Sequence, residues 1–262
     1  MSERLDSCLV SRGLAASRER AKTLIKEGKV RVNGRTVTKP AFAVALEDKL
    51  EAEEDLVYVG RGALKLEKAM ELFGLDPTGR CCADIGASTG GFTEVLLNRG
   101  AARVYAVDVG HGQLSERLKA DPRVVNMEGR NARELTRSSF PEEITLVSID
   151  LSFISLEKVM DAVADFAAEG ADIAVLIKPQ FEAGRSALNN QGVVTDRRDH
   201  AAVLQRLVTF FGQKGFSLRG LTFSPIRGGS GNAEYLAHLK RSAEPSAVFD
   251  IKKLVNEAFQ SL

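Results

Sequence analysis

Ten residues constrain this chain more than any others: Asp84-Ile-Gly-Ala-Ser-Thr-Gly-Gly-Phe-Thr. They follow an apolar run, Cys81-Cys-Ala-Asp-Ile, that reads as a buried strand, and lead into a helical pattern from Phe92 to Asn98. Gly86, Gly90 and Gly91 let the backbone turn sharply and approach a ligand closely, with Ala87 and Ser88 completing the turn. The spacing departs from the Gly-x-Gly-x-x-Gly of dinucleotide binding, and an acid precedes the first glycine. A carboxylate there repels a pyrophosphate but suits a cation or an ammonium group. Downstream, strand patterns alternate with helical ones. Arg103-Val-Tyr-Ala-Val-Asp-Val, Val124-Val-Asn-Met, Ile144-Thr-Leu-Val-Ser-Ile-Asp and Ile173-Ala-Val-Leu-Ile-Lys read as strands. Helices are expected from about Ser155 to Ala168 and from about Asp199 to Gln213. Phe216 to Pro225 and Glu234 to Lys240 close the pattern as strands. Such alternation gives an α/β fold, a largely parallel sheet with helices on both faces, and places ligands at the carboxyl ends of the strands.

Polar residues at those ends therefore carry the functional reading. Asp108 ends the second strand, where a carboxylate can grip a ribose diol. With Asp84 it suits a nucleoside bearing an amino-acid tail. Asp150 ends the fourth strand, and Lys178 ends the fifth, where Pro179 stops the ladder. A lysine after four apolar residues needs a partner, and Asp150 is the expected one. Lys65 lies on an amphipathic helix, and Glu234 starts a closing strand after Arg227-Gly-Gly-Ser-Gly-Asn. His111, His200 and His238 lack metal-site spacing and read as surface or packing residues, while Cys81 and Cys82 read as small core hydrophobes. Arg185, Arg197 and Arg198 fall in a long segment, Glu182 to Asp199, that could cover a substrate or equally be a solvated connection.

Charge sets the first forty residues apart. They hold ten basic residues against four acids, whereas residues 41–59 hold six acids against one lysine. Leu5 and Leu9 share one helix face, with Gly13 stopping that helix. Ser17 caps a second helix, Arg18 to Glu27, with Ala21, Leu24 and Ile25 on its apolar face. Asn33-Gly34 between alternating valines predicts a hairpin. Arg4, Arg18, Arg20, Lys22, Lys26, Lys29, Arg31 and Arg35 form a cationic set able to track a phosphate backbone. No aromatics interleave with them, which favours structured RNA recognised by shape and backbone.

The string Arg-Leu-Asp…Ser-Arg…Ala-Lys…Ile…Gly-Lys-Val-Arg-Val-Asn-Gly resembles, over residues 3 to about 50, the RNA-binding domain first seen in ribosomal small-subunit protein four. The glycine loop resembles that of S-adenosylmethionine-dependent methyltransferases. That likeness implies a Rossmann-like class I methyltransferase sheet, with Gly86 to Gly91 beside the methionine moiety, Asp108 on the ribose and Asn131 near the adenine edge. Lys65, Asp150, Lys178 and Glu234 match in order the Lys-Asp-Lys-Glu tetrad of FtsJ-type ribose 2′-O-methyltransferases. Nearly the whole chain is similar to the TlyA family, known both as hemolysins and as ribosomal RNA cytidine 2′-O-methyltransferases. Its markers are Arg61-Gly-Ala-Leu-Lys-Leu, the glycine loop, Asp150-Leu-Ser-Phe-Ile-Ser and Ile177-Lys-Pro-Gln-Phe-Glu. Ala63 stands where that family usually has a second glycine.

The resemblance implies residues 1–58 as a small α+β RNA-binding domain and 59–262 as the methyltransferase domain. It implies S-adenosylmethionine as cofactor, no metal, and ribosomal RNA or ribosomal subunits as partners. Lys178 is expected to act either as the base or as a cation balancing the forming alkoxide. At 44% hydrophobic and 27% charged, the composition excludes an intrinsically disordered chain. No apolar run reaches the length of a membrane span, and no signal core follows the charged start. A cytoplasmic protein without stable membrane association is expected. The alternatives are a non-catalytic RNA-binding assembly factor and a membrane-active hemolysin.

Overall fold

The computed structural model describes residues 3–12, 14–15, 18–45, 47–52 and 58–262. The predicted helix stop at Gly13 and cap at Ser17 lie outside the described residues, as does the side chain of Arg20. The chain divides into two compact units, Met1–Val57 and Tyr58–Leu262.

In the first unit, helices span Leu5–Ser11 and Arg18–Lys26. The fourfold spacing of Leu5 and Leu9 buries both against Ala21, Leu24 and Ile25. Strands Val30–Val32 and Arg35–Thr36 form the expected hairpin. Asn33 and Gly34 both take positive φ, 51° and 77°, as the tight turn requires. Leu50–Ala52 adds a third antiparallel strand beside Val30–Val32, which the sequence reading left unassigned. Arg31 and Arg35 point outward from this sheet, whereas Val30 and Val32 point into the core.

The second unit is built on seven strands, numbered here within it. They are β1 (Cys81–Ile85), β2 (Arg103–Asp108), β3 (Val124–Glu128), β4 (Ile144–Ile149), β5 (Ala167–Ile177), β6 (Phe216–Phe223) and β7 (Tyr235–Arg241). Their order is β3-β2-β1-β4-β5-β7-β6. The pairs among β1 to β5 are parallel, and β7 runs antiparallel between β5 and β6. Period-two alternation sorts the strand residues onto two faces. Cys82, Val104, Leu146, Ala174 and Leu176 pack beneath α1 (Ala63–Phe73) and α2 (Gly91–Asn98). Ala83, Tyr105, Val147, Val175 and Ile177 pack against α4 (Met160–Phe166) and α6 (Arg197–Gln213), with α3 (Glu116–Lys119) and α5 (Pro179–Glu182) falling between them in the chain. The carboxyl-terminal helix α7 (Ile251–Ser261) buries Val255 and Ala258 in that second core.

Two boundaries differ from expectation. The helix predicted to run to Ala168 is a 3-10 turn, Leu156–Lys158, followed by α4, which stops at Phe166. Strand β5 starts there, at Ala167, and carries an irregularity before Asp172. Strand order reverses between β1 and β4, so a cleft opens beyond their carboxyl ends.

Candidate active site

Gly86 makes that cleft possible. Its φ is +88°, and a Cβ there would lie 2.3 Å from the carbonyl oxygen of Asp150. Only glycine lets the end of β1 meet the end of β4 this closely. A cavity of 460 Å³ opens beside the contact, walled by Gly86, Ser88, Asp108, Asn131, Asp150 and Phe153 among others. A smaller cavity of 210 Å³ shares Gly86, Ser88 and Asp150 with it and adds Arg61, Ala87, Gly91 and Phe92.

Asp108 sits at the larger cavity with a fixed carboxylate. Oδ2 accepts from the Ser88 N–H at 2.8 Å, and Oδ1 accepts from the Gly110 N–H at 2.7 Å. A carboxylate has about four lone-pair sites, so acceptor capacity remains for vicinal hydroxyls. The next loop is fastened by Glu128, which accepts from the N–H groups of Gln113 and Leu114. The Asn126 side chain and those backbone donors hold the Glu128 carboxyl down to about 2. Gln113 in turn accepts from the Ser88 hydroxyl at 3.1 Å. Asn131 caps a 3-10 turn by accepting from the Arg133 N–H, and lines the cavity.

Asp84 and Gly90 line neither cavity. Gly90 faces Leu118, whose Cδ1 would lie 2.2 Å from an added Cβ, so its place is in the packing behind the loop. Asp84 is fully buried and accepts hydroxyl hydrogen bonds from Thr93 at 2.7 Å and Ser148 at 2.9 Å. It braces the loop from below, outside the linings of the two cavities. Burial pushes its carboxyl up to about 7, against the lowering effect of those hydroxyls. The native state thus binds more protons than the unfolded chain between the ordinary 3.8 and about 7. Stability falls as pH rises through that window. Asp84→Asn is expected to remove a slope of about 2–3 kcal/mol between pH 5 and 8, read from urea midpoints of the two proteins. Equal pH slopes would refute the assignment.

The four tetrad positions form two ion pairs. Lys178 Nζ lies 2.5 Å from Asp150 Oδ1 and donates to the Ser152 hydroxyl at 3.0 Å. Lys65 Nζ lies 2.5 Å from Glu234 Oε2, with both side chains almost fully buried. Gln180, two residues past Lys178, donates to the other oxygen of Glu234 at 3.2 Å. Asp150 and Lys178 each stand one residue beyond their strands, and Pro179 starts the single turn α5. Glu182, at the end of that turn, accepts from the Ser155 hydroxyl and the Leu156 N–H. It thereby braces the segment after Asp150 against the segment after Lys178.

Several site residues escaped the sequence reading. Gln180 lies in Ile177-Lys-Pro-Gln-Phe-Glu, where a lone amide carries no local sign of a role. Phe153 is 91% exposed at φ +64°, its ring 5.0 Å from that of Phe181. The Phe181 ring is itself 6.0 Å from Lys178 Nζ. A phenylalanine in sequence predicts burial, so nothing local could announce this one. Of the arginines in the long segment, Arg185 is exposed at the start of a 3-10 turn. Arg197 begins α6, bonds Asn256 and stacks on Phe259, and Arg198 pairs with Asp196. His200 is a buried packing residue bonded to Tyr235 and to the Val194 carbonyl, as its reading required.

In the first unit, Arg4 and Arg18 both contact the buried Asp6. Lys22 pairs with Glu19 and Lys29 with Glu27, while Lys26, Arg31 and Arg35 are exposed.

A parallel sheet with one reversed strand near its edge, and a glycine-rich cleft at its switch point, defines a Rossmann-like methyltransferase domain. The FtsJ-like methyltransferase family matches residues 58–241, and the S4 domain matches residues 3–50. The chain is 46% identical over 243 residues to the 16S/23S rRNA (cytidine-2′-O)-methyltransferase TlyA of Mycobacterium tuberculosis, covering 92% of this chain and 91% of that protein. It is 41% identical over 236 residues to Hemolysin A of Brachyspira hyodysenteriae, covering 90% and 98%. A solved structure, "Putative hemolysin from Streptococcus thermophilus", superposes with a TM-score of 0.77 at 42% identity, covering 99% and 96%. The chain belongs to the TlyA family, in which an S4 domain precedes an FtsJ-like methyltransferase domain.

Proposed function

We propose that the protein transfers a methyl group from S-adenosylmethionine to a ribose 2′-hydroxyl of ribosomal RNA, at cytidine. The observation that carries this reading is Asp150, which lines both cavities and is paired with Lys178 at 2.5 Å. It joins the 460 Å³ cavity to a polar pair suited to a hydroxyl nucleophile.

The residues fit such a cofactor. Asp108 would take the ribose hydroxyls, Asn131 the adenine edge, and the Gly86–Gly91 turn the amino-acid end. Val107, Ala132, Leu151, Ile154 and Val159 supply apolar wall for a base. When bound, S-adenosylmethionine supplies an electrophilic methyl group on a positively charged sulfur.

The chain's own task is to present the hydroxyl. Asp150 and Ser152 fix the Lys178 ammonium, which orients the 2′-oxygen and balances the negative charge growing on it. The 2′-hydroxyl would give up its proton toward the Lys178–Asp150 pair, from which it would pass to solvent. Lys65 and Glu234, with Gln180, form a second, buried charge pair joined to Lys178 through the short turn α5. Phe153, exposed beside the cavity, offers a face on which the substrate base can stack. The S4 domain delivers the enzyme to structured RNA.

The hemolysin name carried by relatives does not change this reading. Among the described residues, no helix is long and apolar enough to cross a membrane. We place the protein in the cytoplasm, with ribosomal subunits as its partners. The test is transfer of labelled methyl to isolated ribosomal subunits, followed by nucleoside digestion. Label in 2′-O-methylcytidine is the expected result. Ribosome association with no label in subunits or naked RNA would favour an assembly factor.

A further inference from the structure

Asp6 is the one acid in the first unit that is fully buried among the described residues. Its carboxylate serves two arginines from different elements. Arg4, just before the first helix, donates from Nε to Oδ1 and from Nη2 to Oδ2, both at 3.0 Å. Arg18, at the start of the second helix, donates from Nη2 to the same Oδ2 at 3.2 Å. One oxygen thus gathers two guanidiniums side by side, although like charges at that range repel. Half of each arginine side chain stays accessible, 51% and 56%. A guanidinium has five N–H donors in a fixed fork, so each keeps donors beyond those used on Asp6.

We propose that Asp6 is a positioning residue for RNA binding, holding Arg4 and Arg18 as one preformed fork for a backbone phosphate. This inference rests on the RNA-binding reading of the first unit. Its logic is preorganisation: a fork fixed before binding loses less side-chain freedom when the phosphate arrives. The arginine pair of Asp6 also keeps its carboxyl low, at about 2, so the fork stays assembled at neutral pH.

The proposal has a sign that simple electrostatics does not share. Asp6→Asn removes a negative charge from a cationic surface, and Coulomb attraction alone then predicts tighter binding to a polyanion. Loss of the fork predicts weaker binding. Glu19→Gln makes the same charge change on the same unit, at an exposed residue that pairs with Lys22 and does not touch Asp6. It is the charge control.

Full-length proteins are titrated against a fluorescently labelled structured RNA hairpin and against isolated ribosomal subunits, at two salt concentrations. Asp6→Asn is expected to weaken binding to both about fivefold, while Glu19→Gln leaves it unchanged or up to about twofold tighter. Binding by Asp6→Asn as tight as wild type, or tighter, would overturn the proposal. A double variant, Arg4→Gln with Arg18→Gln, separates orientation from folding. Adding Asp6→Asn to that background should change little. An equal fivefold loss there would show that Asp6 acts through the stability of the unit, and would also overturn it. Wild type that binds the hairpin but neither subunit would count against the ribosomal substrate alone, leaving the Asp6 comparison readable on the hairpin.

Discussion

Lys178→Ala is expected to lower methyl transfer by at least about 10³-fold while leaving cofactor binding within a few fold. The side chain is held by Asp150 and Ser152, both of which line the larger cavity. Its removal therefore takes away the group proposed to orient and balance the hydroxyl and leaves the glycine loop and Asp108 in place. Calorimetric titration with S-adenosylmethionine separates the two effects, and single-turnover rates on ribosomal subunits give the chemical step. Unchanged turnover on every RNA tested would place the chemistry elsewhere. Lys65→Ala is the poorer probe. It strands Glu234, only 2% exposed, without its cation, and breaking a buried pair typically costs about 3–5 kcal/mol of stability. Any loss of activity there would be mixed with loss of fold.

The second large effect is expected at Gly86. Gly86→Ala places a methyl group 2.3 Å from the Asp150 carbonyl and 3.3 Å from the Leu151 side chain, at a φ of +88°. Neither the backbone carbonyl nor the left-handed conformation can yield without moving the end of β1 away from β4. Both cavities share Gly86 and Asp150 along that seam. Cofactor affinity should fall by at least about 100-fold, with a measurable drop in melting temperature. Gly112→Ala is the matched control, because its φ is also positive, +66°, but nothing lies within 4 Å of its added Cβ. Retained affinity in Gly86→Ala, measured by the same titration, would refute the seam as the cofactor's wall.

Much of this architecture was legible in the residues. The apolar runs at Cys81, Arg103 and Ile144 could be read as strands because a parallel sheet buried on both faces leaves few polar positions to blur the pattern. Asn33-Gly34 announced its hairpin because few other pairs accept positive φ at both positions. Asp108, Asp150 and Lys178 could be proposed because strand ends are where this class of fold exposes polar groups to ligand. The segment around residues 156–170 was less legible. A short helix, a glycine and the start of a long strand carry competing signals there, and pairing with β4 decided the boundary.

The sequence alone determined the order of strands and helices, the places where the backbone needed glycine, and the candidate polar residues. These depend on local periodicity and on the conformational limits of single residues. Only the tertiary structure decided which polar residues share a partner. It set Asp84 beneath the loop with Thr93 and Ser148 rather than in the cleft, and split the tetrad into two pairs. It exposed Phe153 and sent Arg197 to the carboxyl-terminal helix. Side-chain direction, burial and partnership depend on which strands become neighbours across long stretches of chain, and a one-dimensional pattern does not encode those distances.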